Sequence, residues 1–410
     1  MRSTPRINEA SRPCGAGTPG KLLRRGCAAV ATLALGFGLV AGPAAAQDDE
    51  PYNIYLSMSY IGNDWQAEAK SMIEAMAKHP DYEDRVDLNI QVSGPNAQKQ
   101  IQQINGMVQA GADAIVVYPI SPNALNRAVR NACNQDVVVI AYDAEITEPC
   151  AYNVTIDQEE AGRVIAEWLA EELGGQGDIA MITGVPGTSV DTKRTEAAKE
   201  VFSQHEGIDI VAEAPGMWSQ AEARQKLSQI MANRDWDDLD GLWMQVGCYT
   251  AAKMQIEDGV ADEDVIPCAG EASNGHRVQM LPPGTIEGVD EAYRPIGYRS
   301  ISYGSPPYSG ALALKMAVAV LDGTEVPQRV NLPLPLARTG EMEFCEEGTW
   351  EEMANGCNVF DPNLVSPGWF ADIYGPWTPE VGFQAALLGE PEDGGHGSFE
   401  EEFDAEAATQ

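Results

Sequence analysis

Asn53-Ile-Tyr-Leu-Ser-Met-Ser-Tyr-Ile-Gly-Asn-Asp-Trp65 is the stretch on which the architecture turns. An apolar run beginning at Ile54 leads into a polar turn containing Gly62, and the pattern predicts a helix from about Asp64. In an open α/β sheet, such a strand end faces a crevice where backbone N–H groups and small polar side chains meet a ligand. Taken alone, the residues fit a blander role equally well: Ser59 and Asn63 suit a turn and a helix cap, and Trp65 suits a core.

Outward from this stretch, strand and helix patterns alternate. Trp65 to Lys78 carries Ala69, Met72, Ile73 and Met76 at helical spacing; Val86 to Val92 alternates as a strand, and Asn96 opens a helix with Ile101, Ile104 and Val108 on one face. Ala114 to Val117 is a continuous apolar strand, a helix follows Ser121-Pro122-Asn123, and Val137 to Ala141 completes the series. Fully apolar strands separated by helices predict a parallel sheet covered on both faces. The pattern then repeats. Val154 to Ile156, Ile179 to Thr183, Ile208 to Ala212, Gly241 to Met244, Val265 to Cys268 and Ile286 to Asp290 read as strands, with helices between, including one capped by Asp157 with Glu160 three positions on. Two wound sheets are expected, with the chain crossing between them near Tyr142-Asp143.

Residues 1–46 read as a secretory signal: six basic side chains precede an apolar run from Cys27 to Val40, which ends in Gly42, Pro43 and Ala44-Ala45-Ala46. The run is too short to span a bilayer, and Cys27 lacks the leucine and small residues of a lipoprotein cleavage site. Arg24-Arg25 leaves twin-arginine export open beside the ordinary Sec route. Six of the 26 basic and one of the 62 acidic residues lie in this segment, which leaves 20 against 61 and a formal charge of −41. That balance excludes nucleic-acid and anionic-membrane binding and fits a solvated surface.

Six cysteines remain, in neighbouring pairs: Cys133 with Cys150, Cys248 with Cys268, and Cys345 with Cys357. In an oxidising compartment, three local disulfides are the simplest of the fifteen pairings, each worth roughly 3 kcal/mol by loop entropy. No Cys-x-x-Cys is present and the four histidines are scattered, so no metal or other cofactor is expected.

The order and content of Ser57 to Trp65, Pro119 to Asn126, Val139 to Asp143, Asp157 to Gly162, Gly184 to Arg194 and Pro306 to Gly323 resemble the type 1 periplasmic sugar-binding proteins, the ribose-binding-like group that serves ABC importers. The resemblance covers roughly residues 52–336. It implies two doubly wound α/β lobes joined by a three-segment hinge. Residues 52–142 plus 305–330 would form the first lobe and 143–304 plus 331–336 the second, with a sugar-sized ligand between them. The resemblance places ligand contacts at Ser59, Tyr60, Asn63, Trp65 and Ser121 on the first lobe and at the hinge acid Asp143. On the second lobe it points to Arg194 or Thr192; where the family carries an Asn-Asp pair this chain has Val246-Gly247, which leaves Gln245 and Tyr249. Beyond Cys268 the usual Gly-x-Asp-Gly is replaced by Ala269-Gly270-Glu271, which leaves Glu271 and Asn274.

A binder also fits the aromatic pattern, since Trp65, Trp218, Trp243 and Tyr249 fall near strand ends, turns or helix starts, where a flat ring covers the apolar face of a sugar. Trp243, inside its strand, is expected to be core. Gly184 to Ser189 lacks the Gly-Lys-Ser/Thr of a P-loop, no Gly-x-Ser-x-Gly elbow occurs, and no histidine has an evident nucleophile partner. The expectation is therefore a monomeric, non-catalytic, exported solute-binding protein that delivers a small carbohydrate or polyol to a membrane ABC permease. A sensor subunit for a membrane chemoreceptor or kinase and a secreted α/β enzyme are the alternatives. Residues 337–390, rich in aromatic residues, glycine and proline, are expected to fold back on the hinge or a lobe, and 391–410 read as an acidic disordered tail.

Overall fold

The computed structural model describes residues 50–286 and 293–392. In chain order its strands are β1 (Tyr52–Met58), β2 (Val86–Val92), β3 (Ala114–Tyr118), β4 (Val138–Tyr142), β5 (Tyr152–Thr155), β6 (Gln176–Thr183), β7 (Gly207–Pro215), β8 (Gly241–Met244), β9 (Cys268–Glu271), β10 (Ser300–Tyr303), β11 (Arg329–Asn331), β12 (Leu336–Arg338), β13 (Phe344–Cys345) and β14 (Val359–Phe360). The α-helices are α1 (Asp64–Lys78), α2 (Ala97–Gln109), α3 (Asn126–Cys133), α4 (Gln158–Glu172), α5 (Ser189–Ser203), α6 (Gln220–Met231), α7 (Cys248–Glu257), α8 (Asn274–Met280), α9 (Ser309–Leu321), α10 (Trp350–Ala354) and α11 (Phe383–Leu388). Two sheets of six strands result, ordered β11-β5-β4-β3-β1-β2 and β12-β10-β9-β8-β6-β7. Pairing is parallel throughout except where β12 meets β10.

Strand β3 shows why the apolar strands predict this arrangement. Ala114, Val116 and Tyr118 point into one core, while Ile115 and Val117 point into another with Ile104, Met107 and Val129. Both faces are therefore dry, as a parallel sheet with helices on each side requires.

The first crossing comes later than the sequence suggests. The sequence places Val154 to Ile156 in the second lobe, but β5 pairs with β4, and the Asp143 N–H donates to the Val154 carbonyl at 2.8 Å. Asp143 has φ 56°, a left-handed conformation that Asp tolerates better than most residues, and it turns the chain back so that Cys150 can bond Cys133 before β5 forms. The next crossings follow β10 and separate β11 in the first sheet from β12 in the second. Cys248 is bonded to Cys268 and Cys345 to Cys357. The expected strand at Val265 forms instead from Cys268 to Glu271, after a 3-10 turn at Asp262–Asp264. The signal segment, all of the strand expected over Ile286 to Asp290 except Ile286 itself, and the tail from 393 onward lie outside the described residues.

The segment after β12 first holds the second lobe. Phe370 forms an antiparallel bridge with Ser273, the Ala371 N–H donates to the Ala272 carbonyl, and Arg277 makes a bidentate pair with Asp372, both bonds at 2.8 Å. It then holds the first lobe: Lys315 of α9 donates to the Trp377 carbonyl at 3.0 Å and to Glu380 at 2.7 Å, and α11 packs on α1.

Candidate functional site

Asn63 caps α1, its Oδ1 accepting from the Gln66 N–H at 2.9 Å. Its amide also donates across the cleft to the Trp218 carbonyl at 3.2 Å, so the two lobes meet in a closed arrangement. One residue on, Trp65 packs nearly parallel to Tyr142 with ring centroids 6.4 Å apart, and its indole N–H donates to the Ser305 carbonyl at 2.7 Å. Ring and hinge are thereby locked together, and Trp65 lines a cavity between the lobes.

The floor of this cavity is a charged network at the hinge. Asp143 accepts from Gln158 Nε2 at 3.0 Å and is hydrogen-bonded by Ser305 and Tyr118. Arg194 donates through Nε to Gln158 at 2.7 Å, through Nη2 to Ser305 Oγ at 2.7 Å and through Nη1 to the Tyr303 hydroxyl at 3.2 Å. Its guanidinium lies 4.9 Å from the centroid of the Tyr303 ring. Burial pushes the Asp143 carboxyl above the ordinary carboxylate value, and Arg194 and the hydrogen bonds oppose that shift. Arg194 reaches this place because α4 and α5 pack closely at Gly162, where a Cβ would stand 2.2 Å from the Arg194 carbonyl oxygen. Arginine carries five N–H donors, and three of them are used in these bonds.

The second-lobe wall is built around Trp218, whose indole N–H donates to Gln245 Oε1 at 2.8 Å. Its ring sits against Gly184, where a Cβ would meet Trp218 Nε1 at 2.2 Å. Gln245 spends both Nε2 hydrogens on Asp191 Oδ1 and Thr195 Oγ1, each at 3.0 Å. Glu271 accepts from the Gly247 and Cys248 N–H groups, from Gln220 and from Ser273, which uses its lone pairs within the protein. Val190 and Val246 fill the wall between these polar groups.

Of the residues expected to meet ligand, the cavity brings together Asn63, Trp65, Asp143, Arg194, Trp218, Gln245 and Glu271. The others lie elsewhere. Ser59 is fully buried at the end of β1, and Ser121 caps Ala124. Tyr60 is half-buried and is not among the lining residues; burial and then Glu222 raise the pKa of its phenol. Thr192 is exposed in the first turn of α5, so of the two alternatives it is Arg194 that reaches the cavity. Tyr249 packs edge-on against Tyr293, and the Asn274 side chain is consumed by the Phe360 backbone, donating at 2.9 Å and accepting at 2.8 Å. Trp243 is core, as its place within a strand suggests.

The cavity also holds groups that the sequence did not single out. Gln66 is 1% exposed, and among the described residues its Oε1 has no hydrogen-bond partner. Tyr303 ends β10, Ser305 comes from the crossing after it, and Phe370 comes from the C-terminal segment. One helical step past Trp65 was the available signal for Gln66; nothing in the sequence pointed to Phe370. Close by, Cys248, Glu271 and His276 offer ligand atoms within 4.8 Å of one another, yet the sulfur is in a disulfide and the imidazole bonds the Glu271 carbonyl and Ser300 Oγ, which leaves no seat for a metal.

A closed cleft between two wound lobes, floored by charge and walled by aromatic rings, defines a two-lobed ligand trap. The chain belongs to the periplasmic binding protein family: the family description "Periplasmic binding protein domain" matches residues 54–325. It is 25% identical over 303 residues to the ribose import binding protein of Bacillus subtilis, which covers 72% of this chain and 90% of that one. It is 27% identical over 201 residues to the xylitol-binding protein of Mycolicibacterium smegmatis; that match takes in 47% of this chain and 55% of the relative. Among solved structures, an ABC transporter solute binding protein from Thermobispora bispora superposes with a TM-score of 0.61 at 22% identity, over 71% of this chain and 86% of that one. A likeness at that identity speaks for the fold.

Proposed function

We propose that this protein captures a small carbohydrate or polyol between its lobes, in the periplasm, and presents the closed state to a membrane ABC importer, without catalysing a reaction. The observation that carries the reading is the Asp143–Arg194 network at the hinge, with Trp65 beside it: hydroxyl-binding groups adjoin a flat apolar surface. Relatives described as binding ribose and xylitol support the same ligand class. A ligand that touches both walls favours the closed state by its differential contacts, and closure is what a permease can read.

A thermal-shift screen of pentoses, hexoses, polyols, disaccharides and nucleosides tests this. Ligand at 100 times its dissociation constant adds about 2.7 kcal/mol of stability. A flat response to every sugar and polyol would overturn the reading. Trp65→Ala and Asp143→Ala should each abolish the shift while the protein stays folded; unchanged affinity in both would remove the cleft as the site.

A further inference from the structure

The cavity's polar side chains are not equally available. Gln245 and Glu271, on the second-lobe wall, are committed to partners inside the protein, and Asn63 is committed to Gln66 and Trp218. Of the remaining polar lining groups, Asp143 and Arg194 form the charged network at the hinge, and Gln66 carries a buried Oε1 with no hydrogen-bond partner among the described residues. Against these stand Val190, Val246 and Phe370, which offer a ligand hydroxyl nothing to bond.

Phe370 is held as firmly as the groups it joins. Its N–H donates to Glu68 Oε1 at 2.9 Å, its backbone bridges Ser273, and the neighbouring Asp372 is tied to Arg277. It lies beyond residues 54–325, so a segment outside the matched family domain contributes a wall of the site.

Resting on the carbohydrate reading above, we infer that Phe370 is a specificity-determining residue that, with Val246, selects sugars carrying a methyl group where a hexose carries its hydroxymethyl. The ligand turns its hydroxyls toward Gln66, Asp143 and Arg194 and its carbon-rich end toward Phe370. A hydroxyl buried there without a partner costs the parent hexose about tenfold in affinity or more.

Isothermal titration of the full-length protein with two pairs, fucose against galactose and rhamnose against mannose, supplies the test. At least one 6-deoxyhexose is expected to bind about tenfold more tightly than its parent. Phe370→Gln, which places hydrogen-bonding groups in the wall, should bring that ratio toward one. Val246→Thr, nearly isosteric, should move it the same way and decides the matter if Phe370→Gln fails to fold. Equal or tighter binding of the parent hexoses by the unaltered protein overturns the inference, as does a ratio that survives in the folded variants. If pentoses or polyols bind and no hexose or 6-deoxyhexose does, the inference fails and the carbohydrate reading stands. If no sugar or polyol binds, both fall.

Discussion

Glu68 is the side chain on which the site's surroundings turn. It lies on the buried face of α1, is 2% exposed, accepts the Phe370 N–H through one oxygen, and has no hydrogen-bond partner for the other among the described residues. Burial pushes its carboxyl well above the ordinary range, the Phe370 N–H opposes this, and Asp64 and Asp372 add to it. At pH values between the usual carboxylate value and the raised folded one, the folded state holds a proton that the unfolded chain has released, so this group's contribution to stability falls as pH rises through that window. Each tenfold preference for the protonated form is worth about 1.4 kcal/mol. Glu68→Gln keeps an acceptor for Phe370 and removes the titration. The gap in Tm between variant and parent should widen in the variant's favour as pH rises; a gap that is constant with pH would refute it.

Asp143 and Arg194 were legible through the family resemblance, the latter beside Thr192, and Trp65 also through its place at a helix start, which faces the cleft in a wound sheet. Tyr249 and Asn274 have the same kind of placement, yet their side chains are taken by Tyr293 and by Phe360. Those competing partners lie 44 and 86 residues away along the chain, and no local pattern announces them.

Among the elements, α9 explains why the C-terminal segment exists. Its sequence, Ser309-Gly-Ala-Leu-Ala-Leu-Lys-Met-Ala-Val-Ala-Val-Leu321, is apolar apart from Ser309 and Lys315 and is buried from Ser309 to Ala319. A helix of that kind needs cover on its outer side as well as on the sheet side. The stretch around Trp377 and Glu380 supplies it and gives Lys315 a counter-charge. The largely apolar helix was thus a sequence signal that some later segment must dock, although its route could not be read. The Arg277–Asp372 pair fixes the same segment to the other lobe, with Arg277 1% exposed. Asp372→Ala leaves that guanidinium buried without its carboxylate and should cost about 3 to 5 kcal/mol in urea unfolding. The cleavage rate between residues 340 and 380 in limited proteolysis should rise with it; a loss under about 1 kcal/mol would mean that the segment is held by other contacts.

For the whole molecule, charge works against cohesion. With 62 acidic and 26 basic residues, the surface repels itself, while ion pairs such as Lys199–Glu213 and Arg224–Glu257 sit exposed and contribute little each. Raising ionic strength from about 0.01 M to about 0.1 M shortens the screening length from about 30 to about 10 Å. The Tm should rise over that range, and a fall would show that attraction between exposed ions outweighs the net repulsion.

The two-sheet plan was readable because apolar strands recur between amphipathic helices. The late first crossing was not, because β5 is four residues long and its neighbour is chosen by the turn at Asp143.

The disulfides join cysteines only 17, 20 and 12 positions apart, and the three loops neither overlap nor nest. If a chain meets an oxidant progressively from its amino end, and each of these pairs closes before the next appears, each cysteine from Cys133 onward meets its native partner first. Oxidative refolding after full reduction, where all six thiols are present at once, is the setting in which the other fourteen pairings can compete.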